Sequence, residues 1–253
     1  MIYKDRGSKS DEGGLGATVK LMLIKLRKTF LKGVKRLLLF LIVAFVASSL
    51  LLIGVFRYLP VPVTTFMFYR QMTGFQEGNN FKAINHHWVD SDKISKHAFA
   101  AVIAAEDQWF YQHHGYDTAS MISAIETWLD GGRLRGASTI SQQVAKNLFL
   151  VPTRSFWRKG FEAWFTVLIE AFWSKERILE VYLNSVEFGD HLFGIEAASQ
   201  HYFGISSMRL SRKQAALLAA SLPNPIKFNT AKPSAYMLRR QSWILLQMNN
   251  LGY

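Results

Sequence analysis

Apolar positions in this chain form one long uninterrupted block, followed by a series of helix-length stripes. The block is Leu37 to Phe56, twenty residues without a charge. At 1.5 Å rise per residue it is long enough to cross the hydrocarbon core of a bilayer. A cleaved signal peptide is the competing reading. Its apolar region would be shorter, nearer the terminus and followed by small residues, whereas Arg57-Tyr58-Leu59-Pro60 follows here. Pro60-Val61-Pro62 predicts an extended linker. The stretch Thr64–Trp88, with Phe66, Met67, Phe68, Tyr69 and Met72, stays open between a membrane-associated surface and ordinary core.

Beyond Ser91 the periodicity is helical. An alanine-rich helix is expected over Ile94–Asp107. Asp117 can N-cap a helix over Thr118–Leu129, which Gly131-Gly132 would end. A short helix is expected over Thr139–Leu148 and a long apolar one over Arg158–Trp173. Ser174 can cap the next, Lys175–Asn184, and Ile195–Phe203 runs into Gly204. Ser211-x-x-Gln214 is a capping box for Gln214–Leu222, stopped by Pro223 and Pro225, and Ala235–Asn250 closes the chain. Almost nothing alternates with period two, so any sheet is small. The pattern alone supports a mainly α fold.

Charge adds orientation. Of the formal net +12, residues 1–36 supply +7, with ten Lys/Arg against Asp5, Asp11 and Glu12. By the positive-inside rule that end is cytoplasmic and everything after Phe56 lies outside. A basic tail of this kind serves orientation and attraction to anionic lipid better than nucleic-acid binding. The remaining +5 fits an acidic partner such as diphosphate or lipid headgroups. There is no cysteine, so an external domain must hold by packing alone. The expected organisation is a cytoplasmic tail (1–36), a transmembrane helix (37–57), a membrane-proximal segment (58–80) and one globular domain (81–253).

Several segments carry candidate chemistry. Glu106 and Asp107 end the alanine-rich helix, where apolar walls would raise the basicity of a carboxylate. The plainer reading is a solvated helix end. Gly136-Ala-Ser138-Thr139-Ile-Ser141-Gln142-Gln143 is a small, hydroxyl- and amide-rich loop suited to sugar hydroxyls or phosphate oxygens. Glu162 sits four residues after Arg158, a pairing that would keep it ionised, or merely a surface ion pair. Trp157, Phe161, Trp164 and Phe165 argue that this helix is partly buried, though Trp157 and Trp173 are equally candidates for core. Lys146, Arg154, Arg158 and Lys159 can neutralise a departing diphosphate, or form a solvated basic face. His113 and His114 lack partners at zinc spacing, so His113 reads as a loop-orienting residue. No Walker loop, dinucleotide fingerprint or nucleophile elbow is present.

Together these segments resemble the peptidoglycan glycosyltransferases. Glu106-Asp-x-x-Phe110-x-x-His113-x-Gly115 is similar to the family's first motif. Gly136-x-Ser138-Thr139-Ile140-x-Gln142-Gln143-x-x-Lys146-Asn147 is similar to the second, and Arg158-Lys159-x-x-Glu162 to the third. Ile178-Leu-Glu-x-Tyr182-Leu183-Asn184 looks like the fourth, and Arg240 like the arginine of the fifth. The resemblance covers about residues 80–250. It departs at Ser123, where the family commonly carries a basic residue, and mildly at Ser141, where threonine is more usual.

The resemblance implies a lysozyme-like, two-lobed helical domain that polymerises lipid II into glycan strands with inversion and release of undecaprenyl diphosphate. Glu106 would be the base and Glu162 a second catalytic carboxylate. Asp107, Phe110, His113, Asn147, Lys159, Asn184 and Arg240 join the loop residues and the cations as substrate-binding candidates. It implies no organic cofactor and leaves room for a divalent cation, Mg or Mn. Membrane lipids and other cell-wall synthesis proteins are the further partners it allows. The chain ends where such a domain ends and has no Ser-x-x-Lys and no Lys-Ser/Thr-Gly, so the monofunctional form is expected. A glycan-cleaving enzyme and a non-catalytic scaffold remain as alternatives.

Overall fold

The computed structural model describes residues 12–76, 82–132, 138–153 and 155–253. They fall into two units, 1–51 and 52–253. Helix α1 (Glu12–Tyr58) runs unbroken through the basic tail and the apolar block. No proline interrupts it, and Lys, Leu, Met and Arg are good helix formers. Among the described residues, its stretch Met22–Tyr58 is the one helix long and apolar enough to cross a membrane.

The second unit is helical apart from a three-stranded patch. Its helices are α2 (Thr65–Gln76), α3 (Lys96–Glu106), α4 (Thr118–Leu129), α5 (Ile140–Phe149), α6 (Phe156–Phe172), α7 (Lys175–Ser185), α8 (Ile195–Phe203), α9 (Arg212–Ser221) and α10 (Ala235–Asn250). Strands β1 (Asn85–His86), β2 (Glu187–Gly189) and β3 (Leu192–Phe193) lie in the order β1-β3-β2. The first pair is parallel; the second is antiparallel, with an irregularity between Glu187 and Gly189.

Three helix starts carry the cap that the sequence predicts. Ser174 accepts from Arg177 N, and Ser211 forms a capping box with Gln214. Asp117 accepts from Ser120 N at the head of α4. Gly204 closes α8 in the left-handed conformation, φ 66°. Four starts differ by a residue or two from the periodicity, at α3, α5, α6 and α9, where Ser95, Thr139, Ser155 and Ser211 are the caps. A serine hydroxyl that satisfies an orphan N–H outweighs the apolar pattern at a helix end.

Packing divides the helices into two groups. α3, α9 and α10 pack on one another; α5 packs on α2, α6 and α7; α3 also touches α7. Alanine makes the first group close: Ala98, Ala100, Ala101, Ala104, Ala215, Ala216, Ala219 and Ala220 are all buried. The second group uses larger side chains, with Ile140, Ile169, Ile178, Leu179 and Tyr182 fully buried. The end of α1 is tied into this group. Trp173 donates its ring N–H to the Ile53 carbonyl (2.9 Å), and Arg177 donates to the carbonyls of Phe56 (2.8 Å) and Leu59. The Phe56 carbonyl lies in the last turn of α1, beyond its last i→i+4 bond, and a cation there also complements the helix dipole.

The chain returns from α3 through a turn at Gly115, whose φ is +93°. A Cβ there would stand 2.8 Å from Thr166 Cγ2 and 3.1 Å from Glu170 Cγ. Gly115→Ala is therefore expected to cost about 1–3 kcal/mol, from backbone strain and the clash together. A thermal melt of the purified variant checks this; an unchanged melting temperature would contradict it.

Candidate functional site

Glu106 is the last residue of α3, carried into the protein by the buried alanine face. Its Oε2 accepts a hydrogen bond from the Gln143 amide of α5 (3.2 Å), and its Oε1 accepts one from Arg240 of α10 (3.3 Å). Burial raises its pKa, and the Gln143 hydrogen bond and the charges of Arg240 and Lys146 only partly offset that. The C-terminal end of a helix is also the unfavourable end for a negative charge. Gln143 is itself held: its Oε1 accepts from the hydroxyl of Tyr182 on α7 (3.3 Å).

Asp107 faces a different set of partners. Both its oxygens lie against His113 Nε2 (2.9 and 3.0 Å), and Oδ2 also accepts from Ile140 N (3.0 Å). His113 Nδ1 accepts from Gly115 N at 3.1 Å, so the proton of the neutral ring sits on Nε2 and points at Asp107. This pair fastens the turn after α3 to the start of α5. Thr139 and Gln142 fasten it from the other side. They form the capping box of α5, and the Thr139 hydroxyl also donates to Gly115 O (2.7 Å). Phe110 is fully buried, with the Lys175 ammonium 4.4 Å from its ring centroid.

Glu162 is buried on α6 with both oxygens engaged. Arg158 donates to Oε2 (2.8 Å), and Lys159 pairs with Oε1. The expected Arg158–Glu162 pairing is thus present, with Lys159 added. Lys146 of α5 feels both carboxylates. Burial lowers its pKa, attraction to Glu162 and Glu106 works against that, and repulsion from Arg158 and Lys159 adds to it. Among the described residues no hydrogen bond or ion pair holds its ammonium.

Two adjoining cavities, of about 330 and 750 Å³, share Ala105, Glu106, Ser138 and Trp243. The smaller also takes in Asp107, Trp109, Asp117 and Ser120; the larger takes in Pro223, Tyr236, Arg239 and Arg240. Glu106 therefore opens onto two spaces. Trp243, Tyr236 and Arg239 have no local sequence signal and come to the cleft only because α10 packs on α3. Tyr182 lies within a motif that the sequence displays, but nothing in that motif ties it to Glu106.

The structure brings Glu106, Ser138, Gln143, Lys146, Arg158, Lys159, Glu162 and Arg240 into one neighbourhood. Thr139 and Gln142 are buried, their side chains occupied by the helix cap. Asn147 and Phe110 are buried, and Asn184 is wholly so. The Asn184 amide donates to the carbonyls of Val89 and Glu180 (both 2.9 Å), and its oxygen accepts from Val89 N (2.9 Å). These residues shape the site from behind. Trp157 is 84% exposed while Trp173 is 5% exposed, so only the second of those two candidates is core. Ser123 lies on an exposed face of α4. Gly136 and Arg154 lie outside the described residues.

A divalent cation finds no cage here. Among the described residues no group of three or more His, Cys, Asp or Glu side chains stands close enough to hold a metal ion. The carboxylates of Asp107 and Glu162 are already committed to His113 and to two cations. Among the described residues, these side chains by themselves make no Mg or Mn cage.

The comparisons with known proteins agree with the motifs. The transglycosylase family matches residues 74–249. A protein of Chromohalobacter salexigens is 52% identical over 217 residues, covering 86% of this chain and 92% of its own length. One of Pseudomonas putida is 51% identical over 208 residues (82% and 88%), and one of Bacteroides thetaiotaomicron 49% identical over 222 (88% of each). All three are named biosynthetic peptidoglycan transglycosylase. This chain belongs to the transglycosylase family, and its mainly helical domain is of the lysozyme-like kind.

Asn184→Ala removes three buried hydrogen bonds and leaves the Val89 backbone unsatisfied. A loss of about 2–4 kcal/mol in stability is expected. The folded fraction should keep its KM for the glycan donor and acceptor, which denaturant titration and steady-state kinetics together would read.

Proposed function

We propose that this chain polymerises peptidoglycan glycan strands from lipid II at a membrane surface. The observation that carries the reading is Glu106, a carboxylate made more basic by burial, open to two adjoining cavities and close to a cluster of cations. The growing lipid-linked strand is the donor and a new lipid II the acceptor. Glu106 takes the proton from the acceptor N-acetylglucosamine 4-hydroxyl. That oxygen bonds to C1 of the donor N-acetylmuramic acid from the face opposite the diphosphate. The C1–O bond to the diphosphate breaks, α becomes β, and undecaprenyl diphosphate leaves with its charge.

A departing diphosphate needs positive charge more than a proton. Lys146 suits this, because burial partly desolvates its ammonium and, among the described residues, no hydrogen bond or ion pair holds it. Arg158 is oriented by Glu162 and by the Thr153 carbonyl (2.6 Å), which fixes the fork of its guanidinium. Glu162, with both oxygens tied to cations, acts by holding them rather than by moving a proton. That arrangement gives no support to a glycan-cleaving reading, in which Glu162 would have to activate water.

The domain sits against the outer leaflet, with α1 as a single-pass anchor and its N-terminus cytoplasmic. Phe68 and Met72 of α2 are exposed, as a membrane-associated segment over 64–75 requires. Helix α6 adds a second apolar surface. Phe156 is 98% exposed, with Trp157, Phe161 and Val167 also exposed. At the end of α6, Trp173 is bonded to Ile53 within the apolar block, which supports setting that end near the bilayer.

Lipid II turnover by the detergent-purified chain tests the central claim. Glu106→Gln is expected to lose roughly 10²–10⁴-fold in rate while folding normally. Equal polymer from both proteins would remove Glu106 as the base. Serine at both Phe156 and Trp157 is expected to leave turnover in detergent unchanged and to lower it severalfold in liposomes. Equal loss in both media would count against the bilayer contact.

A further inference from the structure

The hydroxyl of Tyr182 stands two hydrogen bonds from Glu106, and neither the fold nor the mechanism above accounts for it. Tyr182 is wholly buried, and among the described residues its hydroxyl has one partner, Gln143 Oε1 at 3.3 Å. Gln143 in turn donates Nε2–H to Glu106 Oε2 at 3.2 Å. A carboxylate only accepts, so the ionised Glu106 demands the amide N–H of Gln143. The opposite end of the amide must then be the oxygen, and Tyr182 donates to it. We propose that Tyr182 is a positioning residue for the reaction: it holds the Gln143 amide in the one orientation that favours the ionised, proton-accepting form of Glu106.

The alternative orientation shows why this matters. If Gln143 turned over, its oxygen would face Glu106 and would accept a hydrogen bond from the protonated acid, stabilising the form that cannot act as base. Tyr182 opposes that flip. With Nε2 facing it, its hydroxyl would accept a bond and be left with a buried proton and no acceptor, which is costly. The other charged groups around Glu106 do not discriminate between the two amide orientations. Arg240 approaches from α10 on Oε1, Lys146 acts from α5 through charge, and Asp107 beside it is bound to His113. Among the described residues, the one hydrogen bond of the hydroxyl runs to Gln143, which is its link to the amide orientation.

This rests on Glu106 being the base, and the test separates the two. In Tyr182→Phe the flipped amide becomes accessible, so the protonated acid is stabilised and the Glu106 pKa rises. Its carboxyl titration can be followed by isotope-edited infrared spectroscopy of the detergent-purified full chain, the band being assigned by its absence in Glu106→Gln. The expected result is an upward shift of that titration and of the acid limb of the kcat–pH profile. Turnover should fall by about two- to tenfold below the wild-type midpoint, the factor one ordinary hydrogen bond carries, and recover at higher pH with KM unchanged. In a Gln143→Met background, Tyr182→Phe should move neither quantity further. A titration that stays in place, or that moves equally without Gln143, overturns the proposal. A titration that moves while the acid limb does not would leave the positioning intact and remove Glu106 as the base.

Discussion

Everything in this domain is arranged around the burial of one carboxylate at the end of an apolar helix. Glu106 cannot be kept from water by large side chains, because the cleft must stay open beside it. The solution is alanine. A helix that is nearly all alanine on its buried face lets α9 and α10 approach closely, which brings Arg240, Tyr236 and Trp243 to the carboxylate. The same helix touches α7 and reaches α5 through Gln143, so the two packing groups meet at Glu106. A group whose pKa must be raised needs low-dielectric walls and few strong donors. Glu106 has two donors at 3.2 and 3.3 Å, enough to orient it without fully offsetting the burial.

Glu162 shows the opposite treatment of the same chemistry. It is buried too, but an arginine at 2.8 Å and a lysine occupy both its oxygens. One carboxylate is left basic by weak partners; the other is spent on holding cations. Separating two acids by environment in this way is how a site assigns different roles to chemically identical groups. Lys146, which senses both, couples the two halves of the cleft electrostatically.

Much of the fold was legible in the chain. The apolar block, the caps at Ser174 and Ser211, the stop at Gly204 and the helix Ala235–Asn250 all rest on local rules: uncharged length, an oxygen that satisfies an orphan N–H, a residue free to take positive φ. Where the periodicity misplaced a start, at α3, α5, α6 and α9, a serine or threonine cap within three residues decided it. The motif residues were legible as a set but not as individuals. Thr139 and Gln142 look like ligand contacts because they are polar and sit in a small loop, yet both are consumed by a helix cap. Asn184 looks like a polar contact and is a buried backbone clamp.

From the chain alone one reads a membrane-length apolar stretch, a mainly helical domain beyond it, and the acids, amides and cations of the motifs it shares with its family, Ser123 being the departure. Those follow from composition and from neighbours along the chain. Only the tertiary structure decided which of them face the cleft. Burial, the partners that tune a pKa, and the direction of a hydrogen-bond chain from Tyr182 through Gln143 to Glu106 all depend on residues dozens of positions apart. No local pattern encodes a contact between α3, α5, α7 and α10. The packing of four helices makes the site, and the sequence states it only through that packing.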